Sequence, residues 1–116
     1  MKVMALIYGN EAAWEALTPE EGKELDARHR AFAKLAGDRI VTGAELAPTR
    51  AATTVRVRDG QTVITDGPFA ETKEVVGGFY VLDVSGLDEA AELTAGLAEA
   101  ATGAIELRAA AEDEAS

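Results

Sequence analysis

The chain has 116 residues and no cysteine, which excludes disulfides, thiolate catalysis and cysteine-ligated zinc or iron–sulfur centres. Its formal net charge of −10 repels phosphate backbones, so we expect no binding to nucleic acid. An apolar share of 47%, without any run near the ~18 apolar residues of a membrane helix, predicts a cytoplasmic protein with no membrane association. We expect one domain at residues 1–109, followed by an acidic, frayed tail at 110–116.

The first predicted element is a strand at residues 2–8, and both of its faces are apolar. Strands of this kind are usually covered on both sides, so we expect cover on each face. Asn10 ends the strand and is placed to cap a short turn that carries Trp14. We interpret Trp14 as a lid on the core, the alternative being a residue that stacks on a ligand.

A helix is predicted to begin at Thr18-Pro19-Glu20-Glu21 and to end near Ala36. Threonine caps the first turn, proline suits the first helical position, and the glutamate three residues after the cap completes a capping box. The only histidine, His29, lies on the apolar face between Leu25 and Phe32. Two interpretations stay open: a core histidine with satisfied ring nitrogens, or a catalytic group.

A second strand is predicted at residues 39–46, with a bulge at Gly43, and a hairpin at residues 53–66. Asp59-Gly60 is typical of a type I′ turn. This two-residue loop pairs Asp66 with Thr53 and places Asp66 on the apolar face of the hairpin. A carboxylate at the inner end of a strand needs a partner or a shifted pKa.

The stretch DGPFAETKEVVGGFY, residues 66–80, joins the hairpin to the next strand, which we predict at residues 78–84. A turn rich in ionisable groups is either a loop that carries a site or a solvated connector. A second helix is expected to start at Ser85 or Asp88, and a last strand at residues 104–109. The apolar stripe of this helix is Leu87, Ala90, Leu93 and Leu97.

This order, β-α-β, then a hairpin, then β-α-β, predicts an α+β fold: a ferredoxin-like antiparallel sheet with both helices on one face. Helices on one face leave the other face bare, although the strands at 2–8 and 78–84 are apolar on both sides. A second copy of the chain is the simplest cover, so we expect a homodimer.

The segment DGPFAETKE followed by GGFY resembles the hallmark of the DGPF branch of the YCII-related family. The resemblance spans nearly the whole chain. The other segments that carry it are KVMALIYGNEAAW, LTPEE, GAELAPTRAATTVRVRDGQTVITDGPFAETKE, SGLDEAAELTAGL and GAIELR. It implies a dimeric α+β barrel, in which two ferredoxin-like sheets lie face to face, and an active site built from a histidine and an aspartate. His29 is the one position that matches the histidine, and Asp66 is the best match for the acid.

These residues favour acid–base chemistry by His29 and Asp66 on a small molecule, because an imidazole near a carboxylate exchanges protons near neutral pH. Glu71 and Lys73 are candidates to orient a polar substrate, the alternative being a surface charge cluster. Tyr8, Phe69 and Tyr80 are candidates to line the cleft, the alternative being core packing. We expect neither a metal nor a cofactor, because the chain has one histidine, no cysteine, no Walker loop and no GxGxxG motif.

Two functional hypotheses follow. The first is an enzyme that transfers protons on a small metabolite in a pocket of the dimer. The second is a non-catalytic ligand-binding or regulatory protein, since the resemblance implies relatives that occur beside or fused to extracytoplasmic-function sigma factors. The branch has no generally established activity.

Overall fold

The structure is a computed structural model that describes the backbone of residues 1–114 and the side chains of residues 1–112. Four strands form an antiparallel sheet in the order β2-β5-β1-β6, and a separate hairpin is formed by β3 and β4. The strands are β1 (Lys2–Asn10), β2 (Ile40–Glu45), β3 (Thr53–Arg58), β4 (Gln61–Asp66), β5 (Glu74–Asp83) and β6 (Ala104–Ala109). The helices are α1 (Glu11–Glu15), α2 (Pro19–Ala36), α3 (Leu87–Thr94), α4 (Glu99–Thr102) and α5 (Ala111–Glu114).

The two central strands are each followed by a helical connection to an edge strand. β1 leads through α1 and α2 to β2, which pairs with β5, and β5 leads through α3 and α4 to β6, which pairs with β1. An α+β fold built on one antiparallel sheet, as predicted, is therefore confirmed. Within residues 1–114 of one chain, no barrel closes.

The start of α2 follows the predicted capping chemistry. The Thr18 hydroxyl accepts a hydrogen bond from the Glu21 amide at 3.1 Å, and the Glu21 carboxylate accepts one from the Thr18 amide at 2.9 Å. The helix ends at Gly37, whose positive φ of 55° suits glycine at a helix terminus. These local signals set the register of α2 and so the face on which His29 lies.

The core lies between the helices and one face of the sheet. Alternate residues of β1 are buried there, whereas Met4, on the opposite face, is 40% exposed. The buried apolar residues are Val3, Ala5, Ile7, Phe32, Ala36, Leu82, Val84, Ala90, Leu93 and Leu97. On the opposite face Leu6, Phe79 and Val81 remain half-buried, so the two-sided apolar character predicted for β1 and β5 leaves a surface that one chain does not cover.

The hairpin has the predicted register, with Thr53 opposite Asp66 and Val55 opposite Ile64. Asp59 and Gly60 both have positive φ, as a type I′ turn requires. Among the described residues the two strands of the hairpin form a sheet of their own, and its apolar face is open, with Val55, Val57 and Ile64 between 61% and 67% exposed. The inner face predicted for Asp66 is therefore solvent-exposed in the single chain.

Several details differ from the prediction: β1 continues to Asn10, and β5 begins at Glu74 rather than at Gly78. Arg39 lies in a 3₁₀ turn, so β2 begins at Ile40, and its pairing with β5 shifts near Val41 and not at the predicted Gly43. The second helix is broken: α3 ends at Thr94, a turn follows, and α4 begins at Glu99. Its first stripe residue, Leu87, is 47% exposed and does not join the core.

The end of the domain continues past β6. The Ala110 amide donates to the Lys2 carbonyl at 2.9 Å, and Ala111–Glu114 form a short helix. The remainder of the predicted frayed tail, residues 115–116, lies outside the described residues. No helix in the described part of the chain is long and apolar enough to cross a membrane.

Candidate functional site

A cleft of about 800 Å³ opens between α1 and α2 on one side and β2 and β5 on the other. Its walls are mostly apolar and include Trp14, Leu25 and Leu46. His29, Tyr80 and Glu99 also line it. A concave, largely apolar cavity with a few converging polar groups is the usual form of a small-molecule site.

Both ring nitrogens of His29 are engaged. Nε2 lies 2.7 Å from Oε2 of Glu99, and Nδ1 lies 2.7 Å from the Tyr80 hydroxyl. The His29 side chain is 24% exposed, and that of Glu99 is 8% exposed. The imidazole thus joins a buried carboxylate to a phenol while keeping part of its surface open.

The position of Tyr80 depends on two small neighbours across β5. Ala5 on β1 and Gly43 on β2 are its cross-strand partners, and Phe32 packs against its ring with centroids 4.7 Å apart. A methyl group on Gly43 would lie 2.7 Å from Cδ1 of Tyr80, which is closer than van der Waals contact allows. Glycine at this position therefore leaves the room that the phenol ring occupies beside His29.

The break between α3 and α4 positions Glu99. Arg28 donates to the Gly96 carbonyl from Nε at 3.0 Å and from Nη2 at 2.7 Å, which ties the turn to α2. In an unbroken helix Glu99 would lie about 200° around the axis from Leu97, away from the core stripe. Because the helix restarts at Glu99, both Leu97 and Glu99 are buried.

The electrostatics favour an ion pair between His29 and Glu99. The Glu99 hydrogen bond raises the pKa of His29 against the opposing effect of burial, and the charges of Asp26 and Glu45 add to the rise. Burial alone would raise the pKa of Glu99, but the hydrogen bond and charge of His29 and the charge of Arg28 outweigh it, so that pKa is lowered. Burial, followed by the charge of Glu99, raises the pKa of Tyr80, so the phenol keeps its proton at neutral pH.

One oxygen of this network has no hydrogen-bond partner among the described residues. Oε1 of Glu99 is buried and makes no hydrogen bond to another residue in the described part of the chain. Buried carboxylate oxygens are normally satisfied, so an unfilled acceptor in a cleft wall is a notable feature.

Trp14, on α1, forms another part of the cleft wall. Its indole ring lies against Gly9 on β1 and Gly77 on β5, so closely that a methyl group on either glycine would overlap the ring. β1 and β5 also shift register here, between Ile7 and Tyr8. Two glycines beside a bulge therefore let the indole lie against the sheet, and Trp14 covers strand backbone as well as facing the cleft.

Comparisons with known proteins identify the family of the chain. The model of the YCII-related domain matches residues 1–112. The chain belongs to the YCII-related family. It is also similar to the uncharacterized protein R00369 of Rhizobium meliloti (strain 1021), with 39% identity over 114 residues, 93% of this chain and 90% of that protein.

In this YCII-related protein, the predicted site residues separate into two groups. His29 and Tyr80 meet in the cleft, as their candidate roles require. Asp66 does not meet His29: it is exposed at the end of a hairpin whose strands pair only with each other. Within the chain the carboxylate that contacts His29 is Glu99, and the pairing of His29 with Asp66 stays a prediction.

The other four predicted residues lie away from the cleft in the single chain. Phe69 is 78% exposed, and Glu71 and Lys73 are exposed in the same loop. The Tyr8 hydroxyl donates to Glu106 at 3.2 Å on the sheet face opposite the helices. The roles proposed for these residues, like the catalytic roles of His29 and Asp66, stay predictions.

Sequence reasoning missed Glu99 because helical periodicity placed it outside the apolar stripe. The available signal was Gly96, since glycine inside a helical pattern often marks its end. Trp14 was interpreted as a lid on the core, and in the structure it is a half-buried wall of the cleft. The described residues contain no group of three or more histidine, cysteine, aspartate or glutamate side chains suited to hold a metal ion.

Proposed function

We propose that this YCII-related protein is a small-molecule enzyme that performs acid–base chemistry at His29, with Glu99 as the carboxylate partner. The observation that carries the proposal is that His29 contacts Glu99 through Nε2 and Tyr80 through Nδ1, each at 2.7 Å. Both contacts lie in a cleft large enough for a metabolite. A histidine that only fills a core needs no such cleft beside it.

The proton positions follow from the hydrogen bonds. In the charged state Nε2–H donates to Glu99, Nδ1–H donates to the Tyr80 oxygen, and the Tyr80 O–H is free to donate to a bound molecule. In the neutral state Nε2–H still donates to Glu99, and Nδ1 accepts from Tyr80. When the Tyr80 oxygen takes a proton from a ligand, it passes its own hydroxyl proton to the neutral Nδ1 of His29, and the reverse movement returns a proton to the ligand.

Glu99 supports either direction of transfer. A carboxylate that accepts from Nε2–H fixes the ring orientation and stabilises the imidazolium, so Nδ1 faces Tyr80 in both states. Raised pKa values for both His29 and Tyr80 place protons where a general acid needs them. This arrangement fits reactions in which an oxygen of the substrate gains charge or a proton.

The test is a ligand screen followed by proton exchange. Compounds that raise the melting temperature of the purified protein are incubated with it in D₂O, and turnover or deuterium incorporation is followed by ¹H NMR. The proposal expects at least one ligand to react with wild type and to bind without reacting in His29→Gln. Reaction at the same rate in His29→Gln would contradict it. Ligands that bind but react with neither protein would favour the regulatory or ligand-binding alternative, including a sigma-factor partner.

We also propose that two copies associate into a dimeric α+β barrel. The strand order β2-β5-β1-β6 is that of a ferredoxin-like sheet, and Met4, Leu6, Phe79 and Val81 line its uncovered face. The exposed apolar side of the β3–β4 hairpin supports the same proposal, since an isolated two-stranded hairpin is marginally stable in water. Light scattering that gives the mass of one chain across the micromolar range would contradict it.

A further inference from the structure

The charge of the cleft has one sign apart from His29. Among the residues whose side chains are described, five carboxylates line it, and neither a lysine nor an arginine does. These carboxylates belong to Glu11, Glu15, Asp26, Glu45 and Glu99. The excess of negative groups disfavours phosphate esters and other polyanions as occupants of the cleft.

Three of the five carboxylates already have partners. Glu11 accepts from the amide and the hydroxyl of Thr49 at 2.8 and 2.6 Å, and Glu15 pairs with Arg50. Glu99 pairs with His29. Three of the charges are therefore committed to contacts within the chain.

Asp26 on α2 and Glu45 on β2 remain. Both are exposed and both line the cleft, and neither side chain forms a hydrogen bond or ion pair with another residue in the described part of the chain. Their negative field reaches the inside of the cleft, because both charges contribute to the raised pKa of His29. A cation bound nearby would be stabilised by the same two charges.

A second, independent feature concerns hydrogen-bond donors. The Glu99 side chain, 8% exposed, is part of the cleft wall, and its buried Oε1 has no hydrogen-bond partner in the described part of the chain. An orphaned buried carboxylate oxygen favours a ligand that brings N–H groups. The apolar remainder of the cleft, including Trp14, Leu25 and Leu46, favours a hydrocarbon body on the same ligand.

We propose that the ligand of the cleft is an organic cation, a small ammonium or amidinium compound with an apolar body, bound between Asp26, Glu45 and Glu99. The cation offsets the charges of Asp26 and Glu45 and donates hydrogen bonds to carboxylate oxygens, including that of Glu99. Its apolar body covers the indole of Trp14. This assignment rests on the proposed function, because it names the substrate class of the same cleft.

The experiment uses three probes of one size: benzylammonium, benzyl alcohol and benzoate. Each is titrated into the ¹⁵N-labelled full-length protein, and shifts of the Trp14 indole and of the backbone around His29 are followed by NMR. Benzylammonium is expected to shift these signals at millimolar concentration, benzyl alcohol more weakly, and benzoate least. The double variant Asp26→Asn/Glu45→Gln is expected to weaken benzylammonium binding about threefold to tenfold and to leave benzyl alcohol unchanged.

A matched control removes the same charge elsewhere. Asp88→Asn/Glu92→Gln changes two exposed carboxylates of α3 that do not line the cleft, and benzylammonium binding should stay at the wild-type value. Benzoate binding as tightly as benzylammonium would overturn the proposal. So would equal weakening in both double variants, or no cleft shifts with benzylammonium at all.

The proposed ligand class and the proposed acid–base function can be contradicted independently of each other. His29→Gln should retain the preference for benzylammonium over benzoate, because Asp26 and Glu45 remain, while any proton exchange is lost. Cation preference without exchange in wild type would leave the ligand class standing and contradict only the acid–base chemistry. Proton exchange on an anionic compound would support the acid–base chemistry and contradict the proposed ligand class.

Discussion

Nε2 of His29 lies 2.7 Å from Oε2 of Glu99, although the two residues are 70 positions apart in the chain. The contact joins α2 to α4 beneath the same cleft. It therefore links two parts of the fold and supplies the paired imidazole and carboxylate on which acid–base chemistry depends.

The pair should make the stability of the protein depend on pH in a window with two limits. The raised pKa of His29 gives stability that is fully present below its ordinary value of 6.5 and is lost as the pH rises through the folded-state pKa. The lowered pKa of Glu99 gives stability that is present above its ordinary value of 4.5 and is lost as the pH falls through the folded-state pKa.

Urea unfolding of wild type and of His29→Gln at a series of pH values measures this window. The difference in free energy of unfolding should be largest between the two ordinary values and should shrink on both sides. A difference that does not change with pH would show that the pair is not ionised.

Gly43→Ala should destabilise the protein and disturb the site together. The added methyl group would meet Cδ1 of Tyr80 at 2.7 Å and the Phe79 carbonyl at 2.8 Å, and backbone cannot move away cheaply. We expect a loss of about 1–3 kcal/mol in free energy of unfolding, measured by denaturant titration. Gly22→Ala is the control: it lies in α2 with nothing within 4 Å of an added methyl group, so it should stabilise by about 0.5–1 kcal/mol. Equal effects at the two positions would contradict the proposed role of Gly43.

Arg28→Ala should loosen the turn that precedes α4. Its two hydrogen bonds to the Gly96 carbonyl are lost, at a cost of about 0.5–1.5 kcal/mol. Because that turn positions Glu99, the pKa of His29 should also fall toward its ordinary value, which an NMR titration detects. Arg30→Ala replaces an exposed arginine of the same helix that does not line the cleft, and it should change neither quantity. An unchanged His29 pKa in Arg28→Ala would contradict the claim that this turn positions Glu99 beside His29.

The hairpin variant Val55→Lys/Ile64→Lys should separate the proposed dimer. These two side chains are cross-strand partners on the exposed apolar face, and burying them against a second copy would contribute several kcal/mol. The dissociation constant of the dimer, measured by sedimentation, should therefore rise at least about a hundredfold. Thr54→Lys/Thr65→Lys places the same charges on the opposite face of the hairpin and should have a smaller effect. Equal dissociation in both double variants would contradict packing through the Val55–Ile64 face.

The elements that follow from local signals were predictable from the sequence. The capping box at Thr18 and Glu21, the stop at Gly37 and the turn at Asp59-Gly60 each depend on neighbours within a few residues. The face of α2 that carries His29 follows from the same register. Each of these features is visible in a short window of sequence because its physics is short-range.

The partner of His29 was not predictable in this way. Asp66 was chosen from the hairpin register and the family resemblance, and the register is correct, but the face it defines meets no other element of the sheet in one chain. Glu99 enters the site through a helix break stabilised by Arg28, a contact that spans 68 positions. Long-range contacts of this kind leave no periodic trace in the sequence.

The most direct test of the account is an NMR titration of the His29 imidazole in wild type, Glu99→Gln and Asp66→Asn. The account predicts a pKa above 6.5 in wild type, a lower value in Glu99→Gln, and no change in Asp66→Asn. An ordinary pKa in wild type, or a fall in Asp66→Asn without one in Glu99→Gln, would contradict the assignment of Glu99 as the partner of His29.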